Sequence, residues 1–524
     1  MRGSIEAQVA SRPRCTFNAL ARAAGCELLP SDPRVDNITL DSRDVSLNAL
    51  FIAVSGENVD GRDFIDQAIA AGASVVVAEA DGTKEGGLQY SEGVPILSVT
   101  ELNQKVGLIA AQFFNHPSNR MAVIGVTGTN GKTTCAQLIQ QMFQLLGEKA
   151  ATIGTMGYGA DLSSLTTTGL TTPDAISCQK ILYALAERNV KYTSLEVSSH
   201  AIVQKRHLGI QFRSAVFTNL SRDHLDYHGT MESYAAVKAE LFQNPQLRYV
   251  VVNADDAVGH NISTAAVPLS VESIRYRVCT TKGVKPTSSV KNLVIAYDLT
   301  FSAEGIQGQV ITPWGDGEFR STLIGLFNVY NLLASISVAC CEGYPLEKVL
   351  AATEKLAPIV GRMQKVEHGY STIAVLIDYA HTPDALEQAL MSAREHTSKA
   401  LWVVFGCGGN RDRGKRASMG RAAISMADHI IVTSDNPRNE NPMDIIGDIV
   451  ADVATADNMY IEVDREKAIG LAVSNAKDGD LILIAGKGHE TYQILKGETV
   501  SFSDYDTAVT ALDNRMHGHA GVKR

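Results

Sequence analysis

Short apolar runs alternate with amphipathic segments over most of the chain. The runs "MAVIGV" (121–126), "YTSLEV" (192–197), "SAVF" (214–217) and "YVVV" (249–252) have the length and composition of buried parallel strands. Four later runs, "IAVLI", "LWVVF", "HIIV" and "LILIA", repeat the pattern, and each is followed by a polar, glycine-rich loop. Helical segments separate the runs, so the pattern predicts α/β architecture with parallel sheets.

The pattern of apolar and polar residues changes along the chain, and these changes predict domain boundaries. Residues 15–100 hold short elements such as "NALFIAVSG", "ASVVVAEA" and the helical "DFIDQAIAAG". A helix from Val106 leads to the polar "FFNHPSNR" before the first long parallel strand. Alternating β-type residues between about Pro268 and Ile324 predict an antiparallel insertion, followed by a helix from Asn328. The predicted domains are 1–102, 103–360 and 361–524.

Composition narrows the classes of protein that fit. A chain of 524 residues is too long for one core, and 45% hydrophobic with 20% charged residues is ordinary for a soluble globular protein. A net charge of −10 argues against nucleic-acid binding, and no apolar run reaches the ~18 residues that a membrane span needs. The eight cysteines form no CxxC pair, and the N-terminus lacks an apolar secretory core. We therefore expect a cytoplasmic protein without membrane insertion, whose first ~14 residues are disordered. A monomer is the expected oligomeric state, although composition does not determine it.

The stretch "VIGVTGTNGKTT" contains the parts of a phosphate-binding loop in an unusual spacing. Val126 stands where the common pattern has a glycine, five positions before Gly131. A strand, glycines, Lys132 and the hydroxyl of Thr133 at a helix start are nevertheless all present. The alternative is a glycine-rich turn with an exposed lysine. Because a strand precedes the loop and the amphipathic "TCAQLIQQMFQLLG" follows it, the pattern favours ATP binding.

Other polar residues lie just beyond predicted strands or within a predicted helix. Glu196 in "LEVSSH" is a candidate metal ligand or a capping carboxylate, and His224 in "SRDHLDYHG" is a candidate ligand or a hydrogen-bonded loop residue. Lys238 stands among apolar residues of "YAAVKAELF", where a lysine usually extends to the surface. The alternative for Lys238 is a modified side chain.

Two loops of the last third carry residues suited to binding a charged small molecule. "SDNPRNENP" and "AGKGHE" place Asn436, Arg438 and Glu490 beyond two predicted strands. An Asx-Pro turn is a sufficient structural reason for "DNPR". Arginine, however, is the side chain best suited to bidentate binding of a carboxylate.

Together these motifs resemble those of the Mur ligase family. "GVTGTNGKTT", "EVSSHAIVQKR", "FTNLSRDHLDYHG", "KAELF", "FNVYN", "GRM", "DYAHTPDAL", "GCGGNRDRGKR", "SDNPRNENP" and "AGKGHE" occur in the family's order. The resemblance runs from about Thr39 to Ser503 and is closest to the members that add the third amino acid of the peptide. It implies an N-terminal α/β uridine-binding domain, a central P-loop ATPase domain with a parallel sheet and a β insertion, and a C-terminal Rossmann-like domain.

The implied activity is ATP-dependent ligation of an amino acid to a peptidoglycan precursor. The resemblance implies that UDP-N-acetylmuramoyl-L-alanyl-D-glutamate, meso-2,6-diaminopimelate and ATP are the substrates, with Mg²⁺ as cofactor. ATP would phosphorylate the γ-carboxylate of the D-glutamyl residue. The amine of diaminopimelate would then displace phosphate from the resulting acyl phosphate. Such catalysis consists mainly of positioning and of neutralising phosphate charge.

The resemblance also implies roles for individual residues. The catalytic set is Lys132, Lys238, His224 and Arg362. The ATP contacts are Gly128, Thr129, Asn130, Gly131, Lys132, Thr133, Thr134, Asn328, Asn331, Arg362 and Asp378. The metal ligands are Thr133, Glu196, His224 and Lys238, with Lys238 carbamylated to N6-carboxylysine. Contacts to the UDP-muramoyl dipeptide are Leu40, Ser42, Thr171, Thr172, Ser198, Gln204 and Arg206. Contacts to diaminopimelate are Arg411, Asp435, Asn436, Pro437, Arg438, Gly486 and Glu490.

The choice of amino acid depends on Arg438. Family members that add diaminopimelate carry Asp-Asn-Pro-Arg, and those that add lysine usually lack the arginine. Diaminopimelate has a distal carboxylate, whereas lysine has only an ammonium that a guanidinium would repel. Alternatives are a ligase for L-lysine, a P-loop ATPase or phosphotransferase, and a non-catalytic nucleotide-binding scaffold.

The chain departs from the family pattern in three places. Glu57-Asn58-Val59 stands where some relatives have His-Gln-Ala, and Leu170 replaces an asparagine before the two threonines. Uridine and sugar contacts near these residues are therefore not assigned. Asn410 replaces the commoner aspartate in "GGNRD", with no expected consequence.

Overall fold

The computed structural model describes residues 13–56, 59–82, 87–281, 285–286, 291–302, 304–369, 372–453 and 458–520. The chain forms two compact units. The first unit comprises Met1–Arg277, Val290–Val294 and Leu333–Pro345. The second unit comprises Val278–Ser289, Ile295–Leu332 and Leu346–Arg524.

The N-terminal part of the first unit is a small sheet covered on both faces. Its strand order is β3-β4-β5-β7-β6, and only β6 and β7 pair antiparallel. Leu50 and Ile52 of β4 enter one core while Phe51 enters the other, because successive side chains of a strand point to opposite faces. The elements are β1 (Cys15–Thr16), α1 (Phe17–Ala23), β2 (Arg34–Val35), β3 (Asn37–Thr39), β4 (Ala49–Ala53), α2 (Ile65–Ala70), β5 (Ala73–Glu79), β6 (Leu88–Ser91), β7 (Val94–Val99) and α3 (Leu102–Phe113).

The larger sheet of the first unit contains the predicted parallel strands. The order is β10-β9-β11-β8-β12-β13-β14, parallel except for the β9–β10 pair. The strands are β8 (Ala122–Thr127), β9 (Ala150–Gly154), β10 (Gly157–Gly159), β11 (Tyr192–Glu196), β12 (Phe212–Phe217), β13 (Tyr249–Asn253) and β14 (Glu272–Val278). The helices are α4 (Lys132–Leu145), α5 (Ala175–Glu187), α6 (Ser199–Val203), α7 (Leu225–His228), α8 (Met231–Ala239) and α9 (Ala257–Asn261).

One sequence-based expectation for this region is wrong. The antiparallel insertion was expected to begin near Pro268, but β14 pairs parallel with β13. Buried and exposed side chains alternate along much of β14, and that alternation reports burial of one face rather than strand direction. The antiparallel strands begin later, with β15 (Leu293–Ser302), β16 (Gly305–Thr312) and β17 (Gly315–Ser321).

Two helices follow these strands. The first, α10 (Leu326–Cys341), begins two residues before the expected start and ends before Gly343, whose φ of 90° glycine adopts without strain. Cys340 and Cys341 at the end of this helix are buried. The second helix is α11 (Leu346–Thr353).

The C-terminal part of the second unit is a parallel sheet with the order β18-β19-β23-β20-β21-β22, in which only β18 is antiparallel. All four apolar runs predicted here are strands. The strands of this sheet are β18 (Gln364–Lys365), β19 (Ala374–Asp378), β20 (Leu401–Phe405), β21 (His429–Val432), β22 (Met459–Ile461) and β23 (Leu481–Ala485). A separate antiparallel pair follows, β24 (Tyr492–Leu495) and β25 (Glu498–Ser501). The helices are α12 (Pro383–Glu395), α13 (Gly414–Met426), α14 (Pro442–Val450), α15 (Arg465–Asn475) and α16 (Asp504–Ala520).

A buried ion pair stabilises the carboxyl ends of two strands in this sheet. Arg465 and Asp504 have fully buried side chains and form two hydrogen bonds of 2.7 and 2.8 Å. The same guanidinium donates to the carbonyl of Ala485 at 3.0 Å and to that of Ser434 at 3.4 Å. The pair thus anchors the loops that follow β21 and β23.

Within the described residues, no helix is both long enough and apolar enough to cross a membrane.

Candidate active site

The phosphate-loop motif forms a strand–loop–helix turn in the first unit. Gly128 and Gly131 have φ values of 151° and 81°, and a Cβ on Gly128 would lie 1.9 Å from the hydroxyl of Thr218. Lys132 opens α4 and donates from Nζ to the carbonyls of Gly128 at 3.0 Å and Thr129 at 2.8 Å. Backbone N–H groups without helical partners cluster at such a helix start and attract phosphate.

The unusual spacing of the loop has a structural reason. Val126 is a fully buried residue of β8 and lies opposite Glu196 and Val216 in the two neighbouring strands. The strand therefore continues through Thr127, and the loop starts at the next residue, Gly128. A glycine at position 126 is not needed because its backbone is extended strand.

Lys238 is buried beside the phosphate loop, which excludes the alternative of a side chain that extends to the surface. Only 1% of the residue is exposed, and Nζ donates to the carbonyl of Gly128 at 2.8 Å. The amine lies 4.7 Å from the ring centroid of Tyr234. Burial, together with the charge of Lys132, holds the pKa of Lys238 well below its usual value. The structure therefore favours a neutral amine at this position.

Glu196 brings three elements together at the end of β11. It is 1% exposed, and its carboxylate accepts from the hydroxyl of Thr133 at 3.0 Å and from the backbone N–H of Thr155 at 3.0 Å. A Cβ on Gly154 would lie 2.0 Å from Glu196 Oε1, so only glycine leaves room for the carboxylate. A carboxylate and a hydroxyl oxygen at this distance are ligands that Mg²⁺ accepts. Thr155 was not predicted from sequence.

Two further histidines, His200 and His228, lie near the predicted ligand His224. Its ring centroid lies 4.9 Å from that of His200, while the His228 ring stacks on Tyr234 at 4.8 Å. His224 itself is half-exposed, and its Nε2 lies 3.3 Å from the carboxylate of Asp223. Burial, more than the neighbouring rings, lowers the pKa values of His200 and His228.

The predicted metal ligands do not form a conventional carboxylate, histidine or cysteine cluster. Among the residues that the structure describes, no group of three or more His, Cys, Asp or Glu side chains is arranged to hold a metal ion. The predicted ligands are of a different kind, because they combine a hydroxyl and a lysine with Glu196 and His224.

Four of the predicted dipeptide contacts form one hydrogen-bonded group. Thr172 donates to the carbonyl of Glu196 at 2.7 Å and accepts from the N–H of Ser198 at 3.0 Å. Arg206 donates to the carbonyl of Thr172 at 2.9 Å and also contacts the side-chain oxygen of Gln204. Thr172 is distant in the sequence from the other three residues, and the tertiary fold brings it to them.

We predict that Thr172→Val lowers the free energy of unfolding by about 1–3 kcal/mol, because it leaves the buried Glu196 carbonyl and Ser198 N–H without a partner. The control is Thr171→Val. The Thr171 side chain is half-buried, and its one hydrogen bond among the described residues is with the hydroxyl of Thr155 at 3.1 Å, so a change below ~0.5 kcal/mol is expected. Urea unfolding of both variants measures the difference, and equal effects would contradict the prediction.

The remaining predicted dipeptide contacts lie elsewhere in the first unit. Thr171 belongs to the group around Thr155 and Glu196, whereas Leu40 and Ser42 follow β3 in the N-terminal sheet. Ser42 donates to the side chain of Gln67 at 3.1 Å. Of the departures from the family pattern, Val59 and Leu170 are exposed, while Glu57 and Asn58 lie outside the described residues.

The second unit holds the other predicted nucleotide contacts. Asn328 and Asn331 are buried and linked to each other by a 3.1 Å hydrogen bond. Asp378 ends β19 and accepts from the N–H groups of Met363 at 2.7 Å and Ala380 at 2.8 Å, while burial raises the pKa of its carboxyl group. Arg362 stacks over the ring of Tyr379 at 4.5 Å.

The loops after β21 and β23 place the predicted amino-acid contacts side by side. Asn436 donates to Glu490 Oε2 at 2.8 Å. Gly486 has a φ of 118°, and a Cβ there would lie 3.0 Å from the carboxylate of Asp435, so glycine suits both the backbone and the space. Burial raises the pKa of Asp435. Gln493 donates to the Asp435 carbonyl at 2.6 Å and holds the loop from the other side.

Arg438 is held by backbone contacts. Its φ is 55°, its N–H donates to the carbonyl of Ile494 at 3.0 Å, and its guanidinium donates to the carbonyl of Gly409 at 2.8 Å. In the described part of the chain, Arg438 forms no ion pair with a carboxylate. The guanidinium is therefore positioned with its charge uncompensated by a direct carboxylate partner. Pro437 precedes it, and Arg411 is exposed.

Two features of these loops were not assigned from sequence. Asn410 accepts from the N–H of Asn439 at 3.2 Å, while its own N–H donates to Glu440, so this departure from the family pattern sits within a loop-to-loop contact. Lys487 is fully buried and contacts Asn436 and Glu490. Lys487 stands inside the quoted "AGKGHE" motif, but nothing in the pattern distinguishes it from an exposed lysine.

Three family models match the chain in succession. They are described as "Mur ligase family, catalytic domain" at residues 34–114, "Mur ligase middle domain" at residues 126–339 and "Mur ligase, glutamate ligase domain" at residues 361–488. Together they cover all the predicted site residues except Glu490, which lies two residues beyond the last match.

Two curated relatives are similar over almost their whole length. The UDP-N-acetylmuramoyl-L-alanyl-D-glutamate–2,6-diaminopimelate ligase of Vibrio cholerae is 41% identical over 95% of this chain and 99% of its own. The enzyme of the same name from Coxiella burnetii is 44% identical over 92% of this chain and 97% of its own. A solved structure with that name matches with a TM-score of 0.71 and 34% identity, over 96% of this chain and all of the other.

Proposed function

Because the chain belongs to the Mur ligase family, we propose that it is an ATP-dependent ligase that joins meso-2,6-diaminopimelate to UDP-N-acetylmuramoyl-L-alanyl-D-glutamate. The observation that carries the choice of ligase over simple ATPase is the loop pair after β21 and β23. There Asn436, Arg438 and Glu490 offer an amide, a guanidinium and a carboxylate. These groups suit an amino acid with charges of both signs, and hydrolysis of ATP alone has no use for them.

The reaction consists of two displacements. The D-glutamyl γ-carboxylate attacks the γ-phosphorus of ATP, which forms an acyl phosphate and releases ADP. The uncharged amine of diaminopimelate then attacks the acyl carbon, and collapse of the tetrahedral intermediate forms the amide and expels inorganic phosphate. The amine loses one proton overall. Phosphorylation is needed because a free carboxylate is a poor acyl donor, and the protein contributes position and charge.

The phosphate loop is the proposed site of the ATP phosphates. Lys132 and the N–H groups of the loop would bind the β- and γ-phosphates, since Lys132 Nζ lies within the loop, where it donates to the carbonyls of Gly128 and Thr129. In the second unit, we assign Asn328 and Asn331 to the adenine, Asp378 to the ribose and Arg362 to the γ-phosphate. The loop residues assigned to ATP are Gly128, Thr129, Asn130, Gly131, Lys132, Thr133 and Thr134.

The oxygen ligands around Glu196 fit a Mg²⁺ ion, which prefers oxygen and retains several waters. Thr133 and Glu196 would hold one ion, and His224 with Lys238 a second. When bound, the ions would neutralise phosphate charge. Carbamylation of Lys238 would turn its neutral, buried amine into an anion able to face a cation.

The two other substrates are assigned to the residues that the family pattern matches. In this proposal the uridine is bound by Leu40 and Ser42. The muramoyl dipeptide is bound by Thr171, Thr172, Ser198, Gln204 and Arg206. Arg438 binds the distal carboxylate of diaminopimelate and Glu490 its distal amine, with Arg411, Asp435, Asn436, Pro437 and Gly486 completing the site. We further propose a cytoplasmic monomer in peptidoglycan precursor synthesis, with domains 1–102, 103–360 and 361–524.

One assay tests this proposal. The protein is incubated with the UDP-muramoyl dipeptide, Mg²⁺-ATP and either meso-diaminopimelate or L-lysine, and products are weighed by mass spectrometry while ADP is measured. We expect one equivalent of ADP per amide formed, and ADP release that requires both the dipeptide and diaminopimelate. ADP release without an amino acid would identify an ATPase instead. Equal product from L-lysine would contradict the assignment of the amino acid.

A further inference from the structure

A fully buried lysine connects the loops that follow β21 and β23. Lys487 Nζ lies 3.1 Å from Glu490 Oε2, 3.2 Å from Asn436 Oδ1 and 3.6 Å from Asp435 Oδ1. These strands are not neighbours, because β20 lies between them. Lys487 therefore contacts two residues of the loop after β21 and one of its own loop, and all three are assigned above to the amino-acid substrate.

The surroundings of Lys487 leave it no role in contacting the substrate directly. Its ammonium group donates hydrogen bonds to Glu490 Oε2 and Asn436 Oδ1, and Asp435 Oδ1 lies at ion-pair distance, 3.6 Å away. No part of its side chain is exposed, whereas 18% of the Glu490 side chain is. Glu490 Oε2 already accepts from Asn436 and Lys487, and in the described residues Oε1 has no hydrogen-bond partner.

From these contacts we infer that Lys487 is a positioning residue that orients Glu490 and Asn436 for the distal, charged end of the amino-acid substrate. The inference rests on the proposed function. By holding Oε2, Lys487 leaves Oε1 for a substrate ammonium. It also keeps the carboxylates of Glu490 and Asp435 in one small site despite their mutual repulsion. Asn436 is fixed further by the N–H of Ile494, which donates to Oδ1 at 3.0 Å.

The test measures KM for each substrate separately in the full-length protein. Lys487→Met is expected to raise KM for meso-diaminopimelate by about 10–100-fold, as loss of a group that orients a binding residue does, and to change KM for ATP less than about twofold. Lys467→Met is the control, because Lys467 belongs to the same unit and its side chain is 72% exposed. The control is expected to match the unmodified protein in both constants.

The double variant shows whether Lys487 acts through Glu490. Glu490→Gln should raise KM for diaminopimelate, and Lys487→Met/Glu490→Gln should raise it no further. Multiplied effects, or an unchanged KM in Lys487→Met, would overturn the inference. The second variant is Lys487→Arg, which keeps the charge in a different shape and should raise KM for diaminopimelate at least about fivefold. If neither Met nor Arg at 487 gives a protein that binds ATP, Lys487 stabilises the fold generally and the inference is wrong.

The outcome is separable from that of the proposed function. If the unmodified protein forms no diaminopimelate product, the proposed function fails. If the unmodified protein is active and the Lys487 variants retain its KM values, only the positioning role fails.

Discussion

Lys238→Met is expected to lower kcat about 10²–10³-fold, comparable to removing one preorganised group that stabilises charge in a transition state. The buried amine bonds the Gly128 carbonyl at 2.8 Å, directly beside the proposed phosphate site. Its lowered pKa favours the neutral form, and only a neutral amine can react with carbon dioxide to form the anionic carbamate. Methionine has a similar length but offers neither a donor nor an anion. Steady-state ADP release in the complete reaction measures the loss.

Lys238→Glu is the informative companion variant. A carboxylate at this position replaces the charge of the carbamate, so Lys238→Glu should retain more activity than Lys238→Met. Intact-protein mass spectrometry under bicarbonate should also show a mass increase of one carbon dioxide that Lys238→Met lacks. Equal loss in the two variants would show that the amine itself, not a negative group, is what the reaction requires.

Stability gives a second check on Lys238, and its sign follows from the lowered pKa. Between the folded and unfolded pKa values, the unfolded chain binds a proton that the folded chain does not, so stability falls as pH decreases through that window. At neutral pH the unmodified lysine is therefore a cost to folding. Lys238→Met should not unfold more readily than the parent, and a markedly lower Tm would assign the activity loss to misfolding.

Arg438→Met is expected to lower kcat/KM for meso-diaminopimelate by about 10²-fold, equivalent to the ~2–5 kcal/mol carried by a buried, hydrogen-bonded charge pair. The guanidinium is fixed by the Gly409 carbonyl at 2.8 Å and has no carboxylate partner in the described part of the chain. It is thus available for the distal carboxylate of the substrate. Competition between diaminopimelate and L-lysine in one reaction, read by mass spectrometry, measures the change in preference.

Arg438→Lys is the matched control for charge. It keeps the positive charge but lacks the planar pair of donors, so an intermediate loss is expected. L-Lysine should not lose rate in Arg438→Met, since its side chain has no carboxylate. A parallel loss for both amino acids would mean that Arg438 supports the loop rather than selects the substrate.

Much of the fold followed from local patterns. The buried strands of the parallel sheets and the helix after the phosphate loop lie where apolar runs and helical spacing predict them. The direction of β14 was predicted wrongly because alternation reports which face is buried and carries no information on the partner strand. Strand order was equally inaccessible, since it depends on pairings between distant segments.

Some residues of the candidate site could likewise be predicted from the sequence, whereas others could not. Gly128, Gly131 and Lys132 were identifiable because a phosphate loop is built from consecutive residues whose spacing has a local geometric reason. Glu196 and Arg438 were identifiable through family motifs at strand ends. Thr155, by contrast, lies 41 residues from the Glu196 carboxylate that it contacts, and no motif marks it.

The sequence by itself determined the family, the parallel α/β architecture and the phosphate loop, because each follows from short-range periodicity or from consecutive motif residues. Only the tertiary structure decided the environment of two lysines. Lys238 contacts a carbonyl 110 residues away, and Lys487 contacts an amide 51 residues away. A lysine among apolar residues has the same local sequence whether it is buried or exposed. Its burial depends on which strands and helices close around it.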